Sequence, residues 1–327
     1  MRKKKRTDIQ HKILCAVLLT LVTASAGAQT APKRPQMVVG IMVEGLSQDY
    51  LDLLHNHFTD GGFKRLMRDG ATLSNVDYGP GVDAAAATAI IYTGAAPSVN
   101  GIPAEYVYDR ERRRSRSILL DTAKIGNFTN ETYSPAAILV STLGDEVRLD
   151  AAGTGWVYSV APDPAQAIIM TGHAGNSGFW INDHTGSWAT TTHYKDVPRS
   201  ISSRNYRRPI SAVLDTLKWE PLLTPAQYPD IPDYKRQYPF RHYFGRKDVD
   251  RYRQYKASAK ANEEVTSIAE EYLSTMALGT RGPVDMVNIG YTLSPYPYTA
   301  DGDNRMETID AYLRLDRDLA RLMKAID

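Results

Sequence analysis

The chain has almost no cysteine. Among 327 residues only Cys15 carries a thiol, so a disulfide framework and thiol chemistry are excluded for everything after it. It has one long apolar stretch and no second. Beyond ILCAVLLTLV at 13–22, no run approaches the roughly 18 apolar residues that a transmembrane helix needs. It has no excess of either charge, with 39 Lys and Arg against 37 Asp and Glu, and no internal repeat. Net charge therefore gives no support to nucleic-acid binding.

What is present begins with an export signal. MRKKKRTDIQHK is basic, the apolar core follows, and ASAGA offers small residues for cleavage after Ala28. That pattern reads as a cleaved signal peptide over 1–28 and predicts a periplasmic or secreted protein. Cys15 lies inside the apolar core, which argues against a lipid-bearing cysteine. Cleavage removes Arg2, Lys3, Lys4, Lys5, Arg6, Lys12 and Asp8, turning 39 basic and 37 acidic residues into 33 and 36. The remaining chain is slightly acidic. One basic stretch stands out, DRERRRSRS at 109–117, readable as a solvated loop or as an anion-binding patch.

The rest alternates strand and helix. QMVVGIMV (36–43) suits a strand buried on both faces. GGFKRLMRDG (61–70) reads as a short helix and ATLSNVDY (71–78) as a strand. A helix is expected from Ala84 to Tyr92 with Asp83 as N-cap, and another over 134–153 from Ser134 and Pro135 to Gly153. WVYSVAP, AIIMTG, GFWIND and SWATTTHY read as strands, the last two a hairpin around His184, Thr185 and Gly186. A strand at VDMVNIGYT (284–292) follows the helix SAKANEEVTSIAEEYLSTMAL. The final helix buries a face of Met306, Ile309, Leu313, Leu319, Leu322 and Met323. This rhythm predicts a three-layer α/β/α sandwich with a mainly parallel sheet. The predicted core spans 29–195 and 256–327. Residues 196–255, crowded with proline and tyrosine, read as an inserted, irregular cap. Since 218–244 is rich in tyrosine and arginine, it also reads as a recognition surface. Ending on a crossover helix suggests a sheet that is C-terminally incomplete.

GPGVDAAAATAIIYTG (79–94) is a turn feeding a helix N-terminus, where enzymes hold anions or place nucleophiles. Here the positions that should carry chemistry are alanines.

RPQMVVGIMVEG, GGFKRLMRDGA, AIIYTGAAPSVNGI, SPAAILVSTLGDEVRL, AIIMTGHAGNSGFWIND, TTHYKDVP and TIDAYLRLDRDLA occur in order from residue 34 onward. Together they resemble the alkaline phosphatase superfamily. The likeness is to the periplasmic, threonine-nucleophile alkaline phosphatases of Bacteroidetes type, relatives of the type I phosphodiesterase/nucleotide pyrophosphatases. The resemblance implies two zinc ions about 4 Å apart that clamp a phosphoryl group for in-line attack by a hydroxyl. It puts the nucleophile at Ala84 and the first carboxylate ligand at Glu44, a possible metal-binding remnant. The Asp-x-x-x-His ligand pair falls on Leu293 and Pro297. The phosphate-holding asparagine falls on Glu105, and the phosphoryl-contacting lysine and arginine near Asp163 and Ala165. A methyl group cannot attack phosphorus, and neither Leu293 nor Pro297 can ligate a metal.

The expectation is an exported, phosphatase-like chain that binds no zinc and serves as a pseudoenzyme. It would engage a protein or small-molecule ligand, with a second polypeptide able to complete the fold. The alternative is a metal-dependent phosphomonoesterase or phosphodiesterase using Thr88 or Thr93. His173 reads as a hydrogen-bonded structural residue, and His184 and His193 as surface residues. Glu44 with Asp49, Asp301 and Asp303 reads as a weak oxygen-ligand set for a hard cation.

Overall fold

The structure, a computed structural model, describes residues 34–73 and 76–327. The signal-peptide reading of 1–28, with Cys15 and Ala28, lies outside them.

In chain order the strands are β1 (Met37–Glu44), β2 (Tyr106–Asp109), β3 (Arg114–Ser117), β4 (Gly126–Asn127), β5 (Val157–Val160), β6 (Ser177–Ile181), β7 (Trp188–Thr191), β8 (Lys218–Trp219), β9 (His242–Tyr243) and β10 (Asp285–Thr292). The helices used below are α1 (Phe63–Asp69), α2 (Ala84–Thr93), α3 (Leu143–Asp150), α4 (Pro164–Thr171), α5 (Arg199–Arg207), α6 (Arg251–Lys256), α7 (Ala259–Thr275) and α8 (Arg305–Ile326).

Six strands form one sheet in the order β1-β10-β5-β6-β7-β4. The first four run parallel, and β7 and β4 add on antiparallel. Alternation along β10 sorts its side chains by face. Met286 joins a cluster under α2 and α4, whereas Val287, Ile289 and Tyr291 join the larger cluster that includes α7 and α8. That two-sided burial is why β1 and β10 read as continuous apolar runs. The expected α/β sandwich is what the chain adopts.

Buried polar groups tie the layers. Tyr92 donates its hydroxyl to Asn288 Oδ1 (3.0 Å), and Asn288 Nδ2 donates to the Met170 carbonyl (2.9 Å) and to Ser159 Oγ (3.2 Å). One central amide thus joins α2, α4, β5 and β10. A Cβ on Gly40 would collide with Asn288 Oδ1 and Tyr92 Oη, so glycine is required there. On the opposite side, Asp316 of α8 accepts the backbone N–H groups of Thr59 (2.7 Å) and Phe63 (2.9 Å), satisfying free donors at the start of α1. Asp310 accepts Trp219 Nε1 (2.7 Å), the Tyr228 hydroxyl (2.6 Å) and the Leu222 N–H (2.7 Å). Part of the proline- and tyrosine-rich region is thereby bound to α8.

Four local expectations are corrected. AIIMTG is not a strand but the end of α4, with Asp163 as N-cap and Pro164 at the first helical position. Every residue from Ala165 to Thr171 is buried, so no amphipathic period marked it as a helix. The helix expected over 134–153 is broken. Ser134 caps only a short 3₁₀ turn at Pro135–Ala137, and a capping box of Thr142 and Asp145 starts α3 afresh. The described part of 71–78 forms no strand, and Leu73 is 83% exposed. The basic stretch 109–117 is not a loop but the turn and second strand of the antiparallel β2–β3 hairpin. The β6–β7 hairpin matches expectation.

Candidate functional site

Parallel sheets place their ligand sites outside the carboxyl ends of the strands. Here a cavity of about 280 Å³ opens at that edge. Glu44 enters it from the end of β1, Thr292 and Ser294 from β10, Pro162 and Asp163 from β5, and Asp183 from the segment after β6. Lys256 and Arg253 of α6 close it from above.

The centre of the cleft is an ion cluster. Lys256 Nζ lies 2.6 Å from Asp183 and 3.9 Å from Asp163. Arg253 pairs with the other oxygen of Asp183 at 3.2 Å. Burial pulls the Lys256 ammonium down, but Asp163 and Asp183 together lift it above its ordinary value, so it stays charged. Burial likewise pushes Asp183 up, and Lys256 more than reverses this, leaving it lowered. The other acids lack such compensation. Burial raises Asp163 against the pull of Lys256, and burial with the nearby Asp163 charge raises Glu44. Glu105 is pushed up to about 7 by burial and by Asp163. Glu44 keeps one donor, the Ser294 hydroxyl at 3.2 Å.

The positions expected at the site can now be placed. Ala84 is the first residue of α2, and Asp83 caps that helix by accepting the Ala86 N–H (2.9 Å). The other Asp83 oxygen takes the backbone N–H of Glu105 (2.7 Å). Thr88 is 1% exposed and gives its hydroxyl to the Ala84 carbonyl at 2.8 Å, turned into its own helix. Thr93 does the same toward Ala89 (2.6 Å). Ala165 is buried on α4, one turn from the cleft floor, and Asp163 caps that helix. Leu293 is a core residue and its N–H donates to the Glu44 carbonyl (2.7 Å). Pro297 lines the cleft rim.

Glu44, Asp49, Asp301 and Asp303 are not brought together. Asp301 pairs with Lys235 (2.9 Å) and Asp303 with Arg305 (2.8 Å). Among the described residues, no three His, Cys, Asp or Glu side chains form a group able to hold a metal ion. His173 is held through both ring nitrogens, by Asp145 (2.9 Å) and the Ile138 carbonyl (3.0 Å), as a structural histidine. His184 is exposed as expected. His193 is not simply a surface residue, because it is half-buried edge-on against Tyr194 and bonded to the His173 carbonyl (3.1 Å). Sequence reading missed Lys256, Asp183 and Arg253. A lysine in RYRQYK carries no signal that distinguishes a cleft ion from a solvated side chain.

The family model for type I phosphodiesterase / nucleotide pyrophosphatase matches residues 38–327. The chain belongs to that family. Within the family and its alkaline phosphatase superfamily, it is 28% identical to the alkaline phosphatase PhoV of Synechococcus elongatus, over 97% of this chain and 62% of that one. It is 29% identical to the alkaline phosphatase PafA of Elizabethkingia meningoseptica, over 97% and 61% respectively. The crystal structure of wild-type PafA superposes with a TM-score of 0.77 over 91% of this chain and 60% of PafA. A quadruple mutant of PafA gives 0.78. The chain spans about three fifths of the length of these relatives.

Proposed function

We propose that this member of the phosphodiesterase family is a non-catalytic, exported binding protein. The observation that carries the reading is the Lys256 ammonium among Asp163 and Asp183, in the cleft that also holds Glu44. A fixed organic cation sits among the carboxylates, and α2 begins with a methyl group at Ala84. Nothing at that position can be deprotonated to attack phosphorus, and Glu105 and Asp163 repel a phosphate. The hydrolase alternative needs Thr88 or Thr93, and both hydroxyls are committed to carbonyls of their own helix. On this reading the protein takes up no catalytic zinc.

A binding partner has a natural landing place in the sheet. β1 pairs with β10 only, and among the described residues no strand covers its other edge. Its aliphatic side chains are half-buried on both faces. A strand from a second polypeptide would satisfy the free N–H and C=O groups there. Among the described residues no helix is long and apolar enough to cross a membrane.

The test is metal content by plasma mass spectrometry together with p-nitrophenyl phosphate turnover in zinc buffer. The expected result is no stoichiometric zinc and no turnover above buffer. Zinc near two per chain with hydrolysis, as two-metal chemistry requires, overturns the reading.

A further inference from the structure

The β2–β3 hairpin stands apart from the β1 edge, and its Tyr106 hydrogen-bonds the Glu105 side chain at its base. Its register pairs Tyr106 with Ser117, Val107 with Arg116, Tyr108 with Ser115 and Asp109 with Arg114. Directly opposed residues of an antiparallel pair share a face. One face therefore carries two tyrosines and two serines, and the other carries arginine. Tyr106 and Tyr108 are 61% and 63% exposed, and residues 110–115 are exposed throughout. Two residues apart on a strand, their Cα atoms are about 6.6 Å apart and their side chains leave on one side.

The charge of the hairpin is as unusual as its aromatics. Residues 109–117 hold five arginines and two acids in a chain otherwise near balance. Asp109 is taken by Arg112 (3.1 Å) and Arg116 (3.8 Å). Among the described residues Arg110, Arg113 and Arg114 have no acidic partner within ion-pair distance. Arg113 sits at the tip with φ of +49°. The base of the hairpin is fixed, because Ile118 donates to the Glu105 carbonyl (2.8 Å) and Glu105 donates to Asp83 (2.7 Å).

We infer that the β2–β3 hairpin is a binding arm for an anionic polysaccharide, independent of whether the cleft is catalytic. The planar guanidinium forks match carboxylate groups in bidentate geometry. The exposed tyrosine faces offer platforms for the apolar faces of sugar rings, and Ser115 and Ser117 offer hydroxyls beside them. A polymer of uronic acids supplies both features, its rings along the tyrosine–serine face and its carboxylates around the turn toward the arginines, which β3 carries on the opposite face. A lipid surface would use the arginines and could also seat the tyrosines at its interface, so vesicle binding is the outcome that separates the two.

The experiment is titration calorimetry of the full chain with polygalacturonate, with dextran as the neutral control. Phosphatidylglycerol vesicles and duplex DNA serve as other polyanions. Polygalacturonate should bind and weaken with salt, and dextran should not bind. The triple variant Arg110→Gln, Arg113→Gly, Arg114→Gln should lose roughly tenfold in affinity. Tyr106→Ser with Tyr108→Ser should lose several-fold at unchanged salt dependence. Lysine at 110, 113 and 114 keeps the charge and should still lose affinity, because the forks are gone. Absence of binding, vesicle or DNA binding as strong as polygalacturonate binding, or unchanged affinity in the folded triple variant would overturn the inference. Circular dichroism of each variant establishes that it is folded.

Discussion

Two groups of carboxylates, one on α8 and one in the cleft, show what partners do for a buried acid. Asp310 and Asp316 are 0% and 1% exposed, yet each is surrounded by donors from the chain it holds. In the cleft, Glu44 and Asp163 line one cavity with Glu105 within range of Asp163, and Lys256 is the central compensating charge. The first arrangement binds separate segments together. The second stores unfavourable charge that a proton or a cation relieves. Burial alone therefore does not decide whether an acid stabilises the fold; the geometry of its donors does.

The comparison can be broken most directly at Asp310. Asp310→Ala unpairs the buried Trp219 and Tyr228 and takes one of the two carboxylate partners of Arg314, which keeps Glu263. Urea unfolding should show a loss of about 3–5 kcal/mol. Lys256→Met leaves Asp163 without its cation and Asp183 with Arg253 alone. Because the cleft admits water, the same measurement should give a smaller loss of about 2–3 kcal/mol, easing as the pH falls. Asn288→Ala removes the acceptor of Tyr92 and should cost about 1–3 kcal/mol without altering either acid group.

The pH dependence sharpens the contrast further. Glu105 and Asp318 are both pushed up to about 7, Glu105 by burial and Asp163, Asp318 by burial and Glu263. A carboxyl with a raised value in the folded chain contributes stability at low pH and loses it as pH rises through that value. Melting temperature should therefore fall between pH 5 and 8. Glu105→Gln should flatten part of that fall and gain about 1 kcal/mol at pH 8, after discounting for solvent screening. Asp318 departs from Asp310 and Asp316 on α8, since its Oδ2 has no donor, and Asp318→Asn should flatten the rest. The smallest effect is expected at Thr88. Thr88→Ala should leave phosphate-ester turnover at the buffer rate, because its hydroxyl serves only the helix.

Much of this was legible along the chain. β1 and β10 announce themselves as apolar runs, Asp83 as the cap of α2, and α8 by its apolar face. α4 was not legible, since a helix buried all round shows no period. Nor was the break before α3, where a local capping box overrode a longer helical pattern. That Ala84, Leu293 and Pro297 carry no hydroxyl and no metal-ligating side chain could be read from the chain directly. The occupation of the cleft by Lys256 could not.

The sequence by itself determined the alternation of strand and helix, because side-chain periodicity and caps act over a few residues. It also determined which groups stand at Ala84, Leu293 and Pro297, a methyl, an isobutyl and a pyrrolidine ring, none of which carries a nucleophilic or ligating atom. Only the tertiary structure decided what the cleft contains. Lys256 lies more than 70 residues from Asp183 and more than 90 from Asp163, and charges so far apart in the chain meet only when the packed sheet brings them within Coulomb range.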